Sequence, residues 1–309
     1  MKLYIRFQNN CILLMKLKGG VETSSAPTRF FFENMNQKLK KIISASRRVD
    51  LLTFYPDYLM KRLDEIGKES IHTLVIWTKN PRNILENKNL RKSLKSVDQI
   101  YFLLTVTGLG GTPLEPEVPA PEQVLKTLSD LADFSGSPLR IALRYDPLID
   151  VIYDKDIHLS NINSNIFQNV LNSAYAIGIK RIITSYVTVY LKVKRRLDKY
   201  NFQIVDHPLN EIKNFIQEEM TPQVEKHQMQ ISTCVLPEIT QKGCIDGDLL
   251  AELHPQKEPC STVRDKTQRE SCHCTKSVDI GMWFPCNHNC IYCYGNPDSR
   301  NSGFGINNS

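Results

Sequence analysis

Three cysteines near the end of the chain concentrate thiolate chemistry on one short loop. The stretch PCNHNCIYCYGN, residues 285–296, places Cys286, Cys290 and Cys293 at C-x3-C-x2-C spacing. A [4Fe–4S] cluster bound by three thiolates leaves one iron open, and that iron can chelate a small molecule. His288 stands between the first two cysteines, so a zinc knuckle of mixed Cys and His ligands is the competing reading. Zinc sites favour C-x2-C pairs, which places this spacing nearer to iron–sulfur ligation.

Four further cysteines, Cys234, Cys244, Cys272 and Cys274, precede that loop. Four thiolates can hold a second cluster or a structural zinc, and Cys272-x-Cys274 can present both sulfurs from one extended turn. The competing reading has Cys234 ending a strand as a small buried hydrophobe, with the others incidental. Eight of the nine cysteines lie after residue 230, and the number is odd. The N-terminal stretch MKLYIRFQNNCILLMKLKGG lacks a sustained apolar region ending in a small-residue cleavage site. A cytoplasmic, reducing setting is therefore expected, where clustered cysteines bind metal rather than form disulfides. No apolar run reaches the ~18 to 20 residues of a membrane span, so no membrane partner is expected. The net charge of +6 permits a nucleic-acid partner without requiring one.

These residues need a scaffold, and the pattern of short β-branched runs supplies it. Strands are expected at 41–46, 73–78, 99–107, 139–145, 180–190 and 228–236, with a seventh at 277–283. Helical spacing fills the intervals, as in YPDYLMKRLDEI with Tyr58, Leu59, Leu63 and Ile66 on one face. PEQVLKTLSDLADF repeats the pattern with Val124, Leu128, Leu131 and Phe134, behind Pro121 at its start. Strands alternating with helices imply an α/β fold of parallel βα repeats. A TIM-like barrel, whole or incomplete, is expected, with a doubly wound sheet as the alternative. The expected organisation is an extension at 1–40, the βα-repeat barrel at 41–240 and a Cys-rich segment at 241–309 that closes it.

Six motifs, in order, resemble the largely bacterial family known as domain of unknown function 1848. They are ISASRRVD (43–50), VIWTKNP (75–81), TVTGLGGTPLEPEVP (105–119), RYDPLID (144–150), GCIDGDLL (243–250) and RDKTQRESCHCTKSVDIGMWFPCNHNCIYCYG (264–295). Where members usually read Thr-Asp-Ile-Pro after the arginine pair, this chain reads Val49-Asp50-Leu51-Leu52. The stretch between Leu63 and Thr73 is also shorter than is typical. The C-terminal cysteines of this family resemble the cluster loop of radical S-adenosylmethionine (SAM) enzymes. That resemblance implies a [4Fe–4S] cluster on Cys286, Cys290 and Cys293 that binds and reductively cleaves SAM, with Tyr292 near the adenine. Radical SAM domains carry this loop after their first strand, whereas here only 16 residues follow Cys293. A cyclic permutation is therefore expected, with SVDIGMW lying beside KIISAS and the following helix supplied by residues 29–40.

Polar side chains at the ends of the expected strands would line one mouth of such a barrel. Arg47, Lys79, Asn80, Arg144 and Asp146 are the candidates for substrate chemistry, and Trp77 and Thr105 join Tyr292 as candidate cofactor contacts. Guanidinium and ammonium groups there can grip a carboxylate. The bland readings are a turn cap for Asp146 before Pro147 and a core place for Trp77. The basic run KVKRR (192–196) reads as a solvated helix face. Three functions compete: a radical SAM enzyme served by a cellular electron donor, a non-catalytic iron–sulfur or zinc protein, and a photoproduct-lyase-like nucleic-acid repair enzyme.

Overall fold

The computed structural model describes residues 39–297, apart from 237, 238, 240 and 241. Seven strands form one all-parallel sheet: β1 Lys41–Ala45, β2 Ile71–Thr78, β3 Ile100–Thr105, β4 Ile141–Leu148, β7 Arg181–Tyr186, β9 Gln230–Thr233 and β10 Val278–Asp279. Their spatial order is β10-β1-β2-β3-β4-β7-β9. The order from β1 to β9 contains no reversal, so there is no switch point of the doubly wound kind. β10 pairs with β1 in parallel, Ile43 opposite Val278 and Ser44 opposite Asp279, so SVDIGMW lies beside KIISAS as expected.

Barrel closure is the point of correction. Among the described residues β9 and β10 remain the two edges of the sheet and do not pair. The strand expected over 277–283 shrinks to two residues because the chain turns away at Gly281, which packs directly on Ser46. The helix expected over 29–40 falls outside the described residues except for Leu39 and Lys40, which are not helical.

Helices follow the apolar spacing with one exception. The first expected helix spans Pro56–Ile66, buries Leu59 and Leu63, and stops at Gly67, whose φ of +81° suits glycine. The second is broken into Pro121–Leu125 and Leu128–Ser135. Between the pieces Thr127 Oγ1 donates to the Val124 carbonyl at 2.7 Å, a local bond that competes with the helical ladder. A third helix, Ser164–Ile177, begins under an Asn163 side chain that accepts from the amides of Asn165 and Ile166.

Three short strands went unforeseen: β5 Asp150–Tyr153, β6 Ile157–Ser160 and β8 Phe202–Ile204. They pair antiparallel in the order β6-β5-β8, apart from the main sheet. Each has only three or four residues, too few to show an alternation.

The parallel strands are buried on both faces with a strict period of two. Ile43, Leu74, Ile76, Phe102, Leu104, Leu143 and Ile182 pack with the helices. Ile42, Val75, Tyr101, Leu103, Ala142 and Ile183 point the other way, where Cys244, Ile245, Leu250, Cys260, Cys272 and Cys274 cover them. The Cys-rich segment thus fills the inner face of the sheet. Among the described residues no helix is long and apolar enough to cross a membrane.

The β1–β10 edge makes a direct test of this packing. A methyl group at Gly281 would run into the Ser46 hydroxyl. Gly281→Ala is expected to destabilise the protein by about 1–3 kcal/mol, read as a lower urea midpoint at unchanged slope. An unchanged midpoint would show that the turn after β10 does not seat on Ser46.

Candidate active site and metal centre

The carboxyl ends of β1, β2, β3, β4, β7 and β9 open onto one cavity of about 410 Å3. Strand ends that span the sheet from near one edge to the other surround it, so the open sheet curls around this space. The cavity lining includes Arg47, Trp77, Lys79, Thr105, Arg144, Asp146 and Tyr292. It also includes Cys234, Cys244, Cys272, Cys274, Cys286, Cys290 and Cys293. Asn80 stands outside: its side chain accepts from the Arg82 amide in the turn into the next helix. The alternation of the strands explains the grouping. Trp77 lies two residues beyond Val75, Thr105 two beyond Leu103 and Arg144 two beyond Ala142, all continuing the inner face.

The cysteine loop is fastened at both ends and in its middle. Tyr55 donates from its hydroxyl to the Pro285 carbonyl at 2.7 Å, and the Cys286 amide donates to Asn296 O at 2.7 Å. The Ile291 amide bonds Leu114 O at 3.0 Å. Arg196 reaches the carbonyls of Ile291 and Cys293 at 3.0 and 2.6 Å. KVKRR is therefore not merely a solvated face, since its last arginine braces the loop. The Gly295 amide donates to Cys293 Sγ at 3.2 Å.

His288 is a structural pin. Its Nε2 lies 2.9 Å from Asp50 Oδ2, and both side chains are buried. Its Nδ1 faces Glu117 O at 3.4 Å, so both ring nitrogens have partners in this arrangement. Asp50 also accepts from the amides of Thr53 and Lys79 and from the Thr78 hydroxyl, at 3.0, 2.9 and 2.8 Å. Burial pushes this carboxyl up, but His288 and the other donors outweigh it and hold it below its ordinary range. Burial pushes the Cys286 thiol up to about 12 and raises Cys290 as well. A cation beside these thiols would stabilise their thiolate forms, as a metal or cluster does.

Beside the loop a buried ionic group forms around Glu115, which has no exposure. Lys79 Nζ lies 2.8 Å from Glu115 Oε1 and 3.1 Å from the Tyr292 hydroxyl. Tyr292 and Thr107 each donate to Glu115. Burial pulls the Lys79 ammonium down, yet Glu115 and Cys290 outweigh it and raise it above its usual value. Lys79 is held charged on the wall beside the cysteine loop.

On the neighbouring strands two guanidinium groups flank one indole. Arg144 lies 4.7 Å and Arg47 5.7 Å from the Trp77 ring centre, and Trp77 Nε1 donates to Ser44 Oγ at 3.0 Å. Arg144 also bonds Thr105 Oγ1 at 3.2 Å and pairs with Asp146, which accepts from Ser185. Arg47 Nη2 and Arg144 Nε are buried without a hydrogen-bond partner. Both are donors at the cavity wall, suited to an anionic group.

Cys234, Cys244, Cys274 and Cys272 neighbour one another in that order, closely enough for each thiol to shift the next. They lie where the segment covering the inner face meets the cavity. At the opposite, amino end of the strands stands a different group of ligand atoms within 4.8 Å: Asp98, His254 and Glu258. There Lys40 pairs with both carboxylates, at 2.7 and 2.9 Å, and serves as the internal cation.

Asp50 and Thr107 are visible in the sequence only as strand-end polar residues without assigned roles. Glu115, Arg196 and Ser185 were not singled out at all. A glutamate within the Gly- and Pro-rich stretch GLGGTPLEPEVP is the one signal that pointed to Glu115, because an acid in so apolar a loop needs a partner.

With this geometry in place, comparison with known proteins is informative about lineage. The sequence matches the family "Domain of unknown function (DUF1848)" over residues 42–295, and the chain belongs to that family. No curated protein matches it. The crystal structure of Streptococcus suis SuiB aligns with a TM-score of 0.37 at 11% identity, covering 64% of this chain and 50% of that one. The chain thus spans half the length of that neighbour.

The Lys79–Glu115 pair can be checked by a double-mutant cycle. Lys79→Met is expected to cost about 3–5 kcal/mol, because it leaves a buried carboxylate uncompensated. Lys79→Met combined with Glu115→Leu should recover most of that loss in urea unfolding. Strictly additive losses would mean that the two side chains do not interact.

Proposed function

We propose that this DUF1848 protein is a radical-SAM-type iron–sulfur enzyme, with a [4Fe–4S] cluster on Cys286, Cys290 and Cys293. The observation that carries this reading is the sharing of one cavity. Three thiols of a C-x3-C-x2-C loop border the same space as Arg47, Lys79, Arg144 and Tyr292. That space lies at the carboxyl ends of parallel strands, where βα folds place their ligands. The donor set fits the group: three thiolates, no fourth cysteine on the loop, and a neighbouring histidine already committed to Asp50.

When bound, the cluster would supply an open iron to chelate SAM and one electron to break its C5′–S bond, leaving methionine and, once C5′ has taken a hydrogen atom from the substrate, 5′-deoxyadenosine. The chain's own residues then have distinct tasks. Tyr292 is fixed by Glu115 and Lys79, so its ring is held in one orientation beside Cys293. Arg47 and Arg144 offer the unpartnered donors that suit a carboxylate. Trp77 contacts both guanidinium groups, and Asp146 with Ser185 orients Arg144. The covering segment and the cysteine loop line the cavity and would limit water around the bound groups. The substrate shares that cavity.

The test uses protein reconstituted anaerobically with iron and sulfide, reduced with dithionite and given SAM. 5′-Deoxyadenosine is expected by liquid chromatography. Cys290→Ala should abolish it, and Cys260→Ala should leave it unchanged. Cys260 bonds Gly247 O at 3.2 Å and does not border the cavity. If the reduced protein yields no 5′-deoxyadenosine and its cluster spectrum ignores SAM, the non-catalytic iron–sulfur reading replaces this one.

A further inference from the structure

The cavity has a second set of thiols that the proposed SAM chemistry leaves unused. Cys234 lies just past β9, Cys244 just before the helix Gly247–Leu253, and Cys272 and Cys274 in the approach to β10. Three separate chain segments therefore bring four sulfurs together. They neighbour one another in series, and all four border the cavity.

We propose that Cys234, Cys244, Cys272 and Cys274 ligate a second iron–sulfur cluster, of [4Fe–4S] type, on the floor of that cavity. Four thiolates are soft donors and select zinc or iron–sulfur over harder ions. Around a tetrahedral zinc, with sulfurs about 2.3 Å from the metal, neighbouring sulfurs would stand about 3.8 Å apart. Among the described residues no three of these sulfurs fall within 4.8 Å of one another. The four sulfurs run as a chain rather than gathering three at a time around one point. A cluster, whose ligands bind different irons, suits that spread.

The backbone around the set is built to hold it open. Any side chain at Gly243 would strike the backbone of His273 and Cys274, so only glycine allows the two segments to touch. Arg181 donates to the carbonyls of Gly243 and Cys244. Arg264 Nε bonds Cys272 O at 2.7 Å, and the Asp265 amide bonds Cys274 O at 2.9 Å. The Thr275 amide bonds Ile245 O at 2.8 Å. Arg144 stands close enough to Cys234 and Cys244, and Arg47 to Cys274, to interact electrostatically. Two guanidinium groups thus offset the negative charge that a four-thiolate cluster brings into a buried place. Thiols serving only as small apolar fillers need neither those charges nor a shared cavity wall. Full ligation by the protein leaves no open iron here, which distinguishes this site from the loop.

The experiment is iron and sulfide analysis after anaerobic reconstitution, with no SAM present, so that it stands apart from the cleavage assay. Wild type is expected to hold about eight irons, and the Cys286→Ser/Cys290→Ser/Cys293→Ser variant about four. The Cys234→Ser/Cys244→Ser/Cys272→Ser/Cys274→Ser variant should also hold about four, and Cys260→Ser about eight. About four irons in wild type with none in the loop variant overturns the floor cluster and leaves the loop cluster standing. One zinc and no iron in the loop variant overturns it as well. Iron retained in the loop variant but absent from the four-site variant supports the floor cluster and removes the loop cluster. Should the four-site variant fail to fold, wild type and the loop variant decide the question between them.

Discussion

One buried carboxylate holds the site together. Asp50 caps the short helix Leu51–Phe54, receives the Thr78 hydroxyl and the Lys79 amide from the end of β2, and receives His288 from the cysteine loop. A single side chain therefore registers two strand ends against a segment 238 residues away. Ionised carboxylates are costly to bury, and this one is tolerable because its donors converge on it. The cysteine loop has no regular secondary structure of its own. Its place beside the first strands depends on this bond and on the carbonyl bonds from Tyr55 and Arg196.

The cavity is unusual in how much charge it keeps out of water. Lys79 with Glu115, and Arg144 with Asp146, form pairs whose four side chains are each at most 16% exposed. Such pairs contribute little net stability compared with apolar packing of the same volume. Lys79, Arg144 and Asp146 from these pairs border the same cavity as seven thiols, at the carboxyl ends of the parallel strands.

The Cys-rich segment has a double role in this architecture. Leu250, Ile245 and the buried thiols cover the inner face of the sheet, so the segment is core as well as site. Among the described residues the inner face is covered by this segment while β9 and β10 stay unpaired with each other.

Local pattern alone determined much of this protein. Six strands of the parallel sheet, the helix Pro56–Ile66 and the inner-face residues Trp77, Thr105 and Arg144 were legible because alternation and helical spacing act over neighbouring residues. The loop spacing also sets Cys286, Cys290 and Cys293 within eight residues of one another. Tertiary structure decided what spacing cannot encode. It brought Cys234 beside Cys244 and Cys244 beside Cys274, set His288 on Asp50, turned Arg196 onto the loop, and buried Glu115 beside Lys79. It also left the sheet open and split the helix at Thr127. The physical reason is range: periodicity reports which face a residue takes, whereas partners far apart in the chain are chosen only when the strands pack and buried polar groups must find one another.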